Sequence, residues 1–362
     1  MTKPRRFRSR TLLPRRTIAA VAIATASCSA SHQTADQLPT QHEQSANSSA
    51  VFAFTTDTQL SMVRGGVVVA TAEAPALPEG AVVTESGRFA ATATFQGPIV
   101  TVGLTPGSAR TIPVAVPQVF ADRGDTIAWW QQPNQLVSLD LSQPAEPVST
   151  PIELPGGNTQ NTRMISFADG IAVFARPGKP DGREDLFRMD RDHSFHPIGS
   201  SPEIAHPIQT TTPSPDGKSF AYEVFGRSAC PQNGIDLIDA RTGAVSTPDM
   251  PGSTGDIASM RRTWWDSDGL LHMSMAIRPC QTDHVTDTMT TWKLDHNKWI
   301  HDDPDNVLES RQLGEHQIAA VTTTQFTRPH GTLWLQTGAD REHLADNVTY
   351  LATPSRLVLN DS

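Results

Sequence analysis

A glycine turn followed by a short β-like run recurs along the chain and constrains its fold more than any other feature. The clearest copy is Ser214 to Val224, "SPDGKSFAYEV", in which Asp216-Gly217 precedes alternating apolar and polar residues. Five weaker copies place the glycine at positions 87, 124, 170, 269 and 314, so that consecutive turns lie 37 to 52 residues apart. This regular spacing indicates a repeated supersecondary unit.

A second landmark follows each of these turns in the same order. It consists of a short strand, a polar turn and another short strand, and its cleanest copy is "IDLIDARTGAV", from Ile235 to Val245. Each unit therefore contains four antiparallel strands, which is typical of a propeller blade. A β-sandwich is the alternative. It would also show short strands, but not two landmarks repeated in a fixed order. We expect an all-β fold, a β-propeller of four-stranded antiparallel blades.

The sequence outside the six units indicates how the ring closes. Three strand-like runs, "AVFAFT", "TQLSMV" and "GVVVAT", precede the units, and one, "TYLATPSRLVLN", follows them. A blade built from both termini leaves no open sheet edge. We therefore predict seven blades over residues 50–362, closed by the N- and C-terminal strands, with six or eight as the alternatives.

The opening motif resembles a known repeat. Ser214-Pro215-Asp216-Gly217-Lys218 with the following "FAYEV" and "IDLIDARTG" is similar to a TolB-type or WD40-like propeller repeat. The resemblance implies an architecture, over about residues 80–350, and brings no catalytic residue with it.

The N-terminus has the order of a signal peptide. Seven basic residues and no acidic one precede a short apolar run from Ile18 to Ala26, which is shorter than the about 20 residues of a membrane span. The stretch Thr25-Ala26-Ser27-Cys28 resembles the bacterial lipobox, with Thr25 where an aliphatic residue is usual. The resemblance implies cleavage after residue 27 and lipidation, a palmitate-type anchor, at Cys28.

The residues after Cys28 predict a disordered tether over 28–49, because they are rich in Ser, Gln, Thr and Ala. The chain is therefore expected to be exported and held by its lipid at the outer face of the cell membrane. Arg15-Arg16 also resembles a twin-arginine signal, so export by the Sec or the twin-arginine route stays open.

The net charge of the chain narrows the classes of partner that it can bind. Cleavage after residue 27 lowers the 29 basic residues to 22 against 38 acidic ones, so the formal net charge falls from −9 to −16. Such a domain is a poor ligand for nucleic acid or for anionic lipid. Contact with the membrane is expected through the lipid anchor only.

Two cysteines are left in the mature chain, Cys230 and Cys280. An oxidising compartment favours their pairing, which would stabilise the fold by about 3–4 kcal/mol. Two buried thiols are the alternative. Neither belongs to a CxxC pair, so no redox or metal role is predicted.

No motif for chemistry is present. The chain has no GxSxG elbow and no phosphate-binding glycine loop, and its richest Asp and His cluster, between Asp283 and Asp305, lacks the spacing of a metal site. We therefore predict no catalytic residue, metal or cofactor.

Tryptophan pairs give the best indication of binding. Adjacent residues of a strand face opposite ways, so one member of Trp129-Trp130 and of Trp264-Trp265 could line a channel. Arg261 and Arg262 stand just before the second pair. We predict Trp129, Arg261, Arg262 and Trp264 as ligand-binding residues.

These observations favour a monomeric binding or scaffold module for an envelope protein or glycan, without chemistry of its own. Two alternatives stay open. One is a hydrolase or lyase for envelope carbohydrate or peptide with its site at the channel mouth, and the other is a structural subunit of an assembly.

Overall fold

The structure is a computed structural model, and one compact unit, Gln44–Ser362, contains every residue that it describes. The described residues are 50–75, 78, 80–105, 107–157, 161–177, 183–201, 211–224, 233–252, 256–280, 289–302, 306–324 and 330–354. Over these residues the protein is all-β, and no helix there is long and apolar enough to cross a membrane. The predicted signal peptide, tether and Cys28 lie outside the described residues.

Twenty-seven strands form the sheets in the described part of the chain. The first three are β1 (Val51–Thr56), β2 (Gln59–Arg64) and β3 (Val67–Glu73). Sheet B contains β4 (Val82–Val83), β5 (Phe89–Ala93), β6 (Ile99–Gly103) and β7 (Arg110–Ile112). Sheet C contains β8 (Phe120–Ala121), β9 (Thr126–Gln131), β10 (Gln135–Asp140) and β11 (Val148–Pro151).

The chain continues in the same pattern. Sheet D contains β12 (Arg163–Ala168), β13 (Ile171–Pro177), β14 (Glu184–Met189) and β15 (Phe195–Ser200). Sheet E contains β16 (Thr211–Pro213), β17 (Ser219–Val224), β18 (Gly234–Asp239) and β19 (Val245–Ser246). Sheet F contains β20 (Asp256–Trp265), β21 (Leu271–Pro279), β22 (Thr290–Asp295) and β23 (Lys298–Asp302). The last strands are β24 (Val307–Gly314), β25 (Gln317–Thr322), β26 (Gly331–Thr337) and β27 (Asp340–Ala352).

The first strands of neighbouring sheets contact one another, from β4 through β8, β12, β16 and β20 to β24. They therefore form the inner wall of a ring of four-stranded antiparallel blades, as the sequence predicts. The blade count differs from the predicted seven. Five sheets, B to F, are separate blades of four strands, and the other seven strands form one sheet in the order β24-β25-β26-β27-β1-β2-β3.

We call this seven-stranded sheet, which is sheet A, the closing sheet. Its strand β27 pairs with β26 through its N-terminal half and with β1 through its C-terminal half, where Thr55 faces Tyr350. The two halves meet at Asn347, whose φ of 57° lies in the left-handed region. The predicted closure by strands from both termini is therefore found, but it merges strands that were expected to form two separate sheets.

The closing sheet folds back on itself. A Cβ added to Gly66, in the turn after β2, would lie 3.1 Å from Cδ2 of Leu335 in β26. In a flat sheet, strands in these positions would be roughly 14 Å apart. Phe52 and Phe54 of β1 accordingly share one apolar cluster with Leu308, Leu333 and other residues of the opposite half.

The repeated glycine turns connect the first and second strands of the sheets. Glycines 87, 124, 170, 217 and 269 have φ between 62° and 79°, as the turn requires. Asp216 accepts hydrogen bonds from Ser214 Oγ at 2.7 Å and from the Lys218 amide at 3.1 Å. It is therefore a turn-forming residue. Gly314 departs from the pattern, because it ends β24 at a register shift and has no positive φ.

Apolar side chains fill the spaces between neighbouring sheets. One cluster joins the closing sheet to sheet B, and the next joins B to C through Ile99 and Trp129. Trp130 joins C to D, Phe220 joins D to E, and Met273 belongs to the cluster between E and F. The middle strands of the blades are thus mostly buried between sheets, whereas outer strands such as β7 and β11 are largely exposed.

Candidate functional site

Arg261 and Arg262 lie on β20, the inner strand of sheet F. In the ladder with β21, Met260 faces Met275 and Arg262 faces Ser274, so Arg261 is the extra residue of a β-bulge. A bulge redirects side chains that strict alternation would send to opposite faces. The two arginines that the sequence predicts as ligand-binding residues therefore lie side by side on the inner wall, and both are partly exposed.

Arg262 reaches from sheet F to the closing sheet. Its Nη2 donates to the carbonyl oxygen of Thr349 at 3.0 Å, and its guanidinium carbon lies 4.2 Å from the ring centroid of Tyr350. Thr349 and Tyr350 belong to the C-terminal half of β27, so the contact bridges two inner strands. Stacking on an aromatic ring holds the planar guanidinium in one orientation.

A third inner-strand arginine is already neutralised. Arg311 on β24 lies 2.5 Å from Glu309 Oε1, and Glu309 Oε2 accepts the Leu351 amide at 3.1 Å. Burial lowers the pKa of Arg311, and the carboxylate of Glu309 opposes that shift. This pair ties β24 to β27, and its charges compensate each other.

One carboxyl group acts on the two arginines of β20. Burial raises the pKa of Glu223, while a 2.9 Å hydrogen bond from Asn233 Nδ2 and the charges of Arg261 and Arg262 oppose the rise. Burial also lowers the pKa of Arg261, and the neighbouring charge of Arg262 lowers it further. The two guanidinium groups therefore lie close to each other and to the carboxyl group of Glu223. We call Arg261 and Arg262 the arginine site.

The predicted tryptophans are not at this site. Trp129 and Trp264 are each only 1% exposed. Trp129 packs between sheets B and C, and Trp264 stacks on His272 with ring centroids 5.5 Å apart. Alternation does send Trp129 and Trp130 to opposite faces, but each face meets a neighbouring sheet. Both predicted tryptophans are therefore packing residues.

A buried histidine lies between two acidic groups that the sequence analysis did not bring together. His272 Nε2 is 3.1 Å from Asp266 Oδ2, and its Nδ1 is 3.3 Å from Asp302 Oδ2. Asp266 belongs to a glycine turn and Asp302 to the Asp and His cluster that predicted no metal site. Only pairing of β21 with β22, and of β22 with β23, brings these residues together. No sequence spacing signals such a contact.

The described residues contain no group of three or more His, Cys, Asp or Glu side chains arranged to hold a metal ion. Cys280 follows the last residue of β21 and is partly exposed. Its predicted partner Cys230 lies outside the described residues.

No protein-family model matches the chain, and no curated protein matches it. The β-propeller domain of Cps50 (Swd1) from Myceliophteria thermophila aligns with a TM-score of 0.50 and 12% identity, over 77% of this chain and 95% of that one. The β-propeller domain of the trilobed protease from Pyrococcus furiosus aligns at 0.48 and 9%, over 84% and 89%. TolB from Acinetobacter baumannii aligns at 0.42 and 14%, over 85% and 67%. At 12% identity the similarity to the Cps50 domain is one of fold alone, and that fold is a β-propeller.

Proposed function

We propose that the protein is a binding module whose propeller presents the arginine site to a partner that carries acidic groups. The observation that carries the proposal is the bulge of β20, which places Arg261 and Arg262 next to each other on the inner wall. Arginine binds carboxylate and phosphate groups through paired N–H donors. In a chain of net charge −9, two adjacent arginines on the inner wall favour an acidic partner there.

We place this module in the cell envelope. The proposal rests on the basic and apolar N-terminus and on the lipobox-like sequence ending in Cys28. A lipid at Cys28 and a tether to residue 49 would hold the propeller at the outer face of the membrane. In that compartment Cys230 and Cys280 are expected to pair, and the partner is an envelope protein or glycan.

We also propose that the closing sheet works as two blades that share β27. One would consist of β24, β25, β26 and the N-terminal half of β27, and the other of the C-terminal half with β1, β2 and β3. The fold-back of this sheet and its internal apolar cluster support the division.

The test compares the full chain with the double variant Arg261→Gln/Arg262→Gln in pull-downs from envelope extracts. We expect capture of the acidic partner to fall at least about fivefold, because two charge-assisted contacts are lost. Added salt should weaken capture by the wild-type chain as well. Prior treatment of the extract with protease distinguishes a protein partner from a glycan.

Arg341→Gln is the matched control. Arg341 also stacks on an aromatic ring, 4.3 Å from the centroid of Trp334, but it lies on the N-terminal half of β27, away from the inner wall. Its variant should capture as much partner as the wild type. Equal capture by all three chains, or equal loss in both variants, contradicts the proposal.

A further inference from the structure

Glu223 points toward the strand that carries the arginine site. It lies near the end of β17 in sheet E and faces Ile235 in the ladder with β18. Residues that face each other in an antiparallel ladder have their side chains on the same side of the sheet. Ile235 belongs to the apolar cluster between sheets E and F, together with Ala258 and Met260 of β20. The carboxyl group of Glu223 therefore lies between these two sheets, on the side of β20.

Asn233 connects this carboxyl group to β20. Its backbone amide donates to the carbonyl oxygen of Ala258 at 3.0 Å, and its side-chain Nδ2 donates to Glu223 Oε1 at 2.9 Å. A second link between the sheets lies further along β20, where Trp265 Nε1 donates to the carbonyl oxygen of Thr212 at 2.8 Å. Thr212 belongs to β16, which pairs with β17. Glu223 is therefore held in a fixed position relative to the arginine site.

The ionisable groups on the strands around Glu223 differ in where they point. β16 carries none, Asp236 of β18 faces the other way, toward sheet D, and Asp239 lies at the far end of β18. On β20, Asp256 lies two residues before Ala258 and so on the same face, and the arginine site follows. Of these groups, the two arginines act on the pKa of Glu223. Their charges lower it, but burial outweighs them and keeps this pKa above the usual 4.5.

The charge of Glu223 opposes the binding of an acid at the arginine site. An ionised carboxylate attracts the two guanidinium groups and repels an acidic ligand that approaches them, whereas a neutral carboxyl group does neither. The arginines keep their own charge across the range in which a carboxyl group titrates. Protonation of Glu223 therefore changes the potential at the site without changing the groups that bind.

We propose that Glu223 makes ligand binding at the arginine site pH-dependent: its ionised carboxylate weakens the binding of an acidic group, and its protonation strengthens that binding. The inference rests on the proposed function, since it concerns the same two arginines. Because the protonated form binds more tightly, binding takes up a proton, and the affinity rises as the pH falls through the pKa of Glu223. Burial raises this pKa, so the rise begins at a higher pH than an exposed glutamate would give.

The experiment measures the binding of inorganic sulfate to the full chain by isothermal titration calorimetry at constant ionic strength. Sulfate is the probe because it stays ionised throughout. We expect its affinity to rise at least about threefold between about pH 8 and about pH 5. Glu223→Gln keeps an acceptor for Asn233 and removes the charge. This variant should bind sulfate at about pH 8 as tightly as the wild type does at about pH 5, and its affinity should change less than about 1.5-fold over the range.

Two further variants separate the role of Glu223 from general effects. Glu342→Gln removes the same charge from an exposed position on the N-terminal half of β27 and should keep the wild-type affinity and pH dependence. Asn233→Ala removes the hydrogen bond that lowers the pKa of Glu223, so the rise in affinity should move to higher pH. The second variant tests the proposal on its own if Glu223→Gln does not fold.

Arg261→Gln/Arg262→Gln separates this inference from the proposed function. If the double variant loses sulfate binding while Glu223→Gln keeps the wild-type affinity and pH dependence, Glu223 does not regulate the site, and the arginine site itself stands. If the double variant binds sulfate as tightly as the wild type, the arginine site and its regulation are both refuted. Equal effects of Glu223→Gln and Glu342→Gln also contradict the proposal, because they would reflect net charge alone.

Discussion

Gly243 shows at the residue scale how closely two blades approach. It lies in the turn between β18 and β19 with a φ of 71°, and its amide donates to the carbonyl oxygen of Asp239 at 2.8 Å. A Cβ at this position would overlap the carbonyl oxygen of Ile198 in the neighbouring sheet D. Both the backbone angle and the space therefore require glycine.

Gly243→Ala should lower the free energy of unfolding by about 2–5 kcal/mol, since left-handed strain and overpacking add together. Gly124→Ala is the control, because Gly124 has a similar φ of 62° and open space around its Cα. It should cost only about 1–2 kcal/mol. Urea denaturation of the three proteins measures the difference, and equal losses would show that the contact with Ile198 is unimportant.

Asp266 links stability to pH at the same scale. Burial alone raises the pKa of Asp266, but hydrogen bonds from His272 and from the Leu270 and Asp268 amides outweigh it and hold this pKa below the usual 3.8. A lowered pKa in the folded protein means that the ionised carboxylate stabilises the fold above that usual value. The contribution is lost as the pH falls through the lowered pKa.

We therefore expect Asp266→Asn to be less stable than the wild type at about pH 6, and the gap to shrink toward about pH 3. Chemical denaturation across this range measures both curves. A gap of constant size would show that the charge of Asp266 contributes nothing to stability.

Local elements were predictable from the sequence where their cause is local. The glycine turns need only a residue that adopts positive φ and an Asp or Ser beside it, and Asp216-Gly217 carries both. The hairpin around Asp239 and Gly243 was predictable for the same reason. Arg261 and Arg262 were singled out by their position before Trp264, although the bulge that aligns them was not foreseen.

Elements that depend on register could not be read from the chain. A bulge exists only relative to a partner strand, so β20 alone does not show that Arg261 is the extra residue. The double role of β27 depends on Asn347, which looks like any turn-forming residue in the sequence. Trp129 was misjudged because strand alternation does not say whether the second face of a strand meets solvent or another sheet.

At the scale of the whole molecule, the ring depends on a few residue pairs. The C-terminal half of β27 pairs with β1 from Ala53 to Thr56, and Thr55 Oγ1 lies 2.8 Å from Thr349 Oγ1. Removing this half exposes the inner edge of β1 and the apolar cluster of the closing sheet, including Phe52 and Leu351.

A chain ending at residue 347 should therefore unfold at a temperature at least about 10 °C lower than the full chain, or fail to fold. A chain ending at residue 354 keeps all of β27 and is the control. Its melting temperature should stay within about 2 °C of the full chain. Thermal unfolding followed by circular dichroism compares the three. Closure is dispensable if both truncated chains melt together with the full chain.

The pairing of β1 with β27 also sets the order in which the protein can be completed during synthesis. Thr55 and Thr349 are 294 residues apart, so β1 leaves the ribosome long before its inner neighbour exists. Separate blades such as sheets B to F are made of consecutive strands and can pair as they emerge. The inner edge of β1 therefore stays unpaired in the nascent chain until β27 has been synthesised. Contacts between residues so far apart in sequence also form slowly.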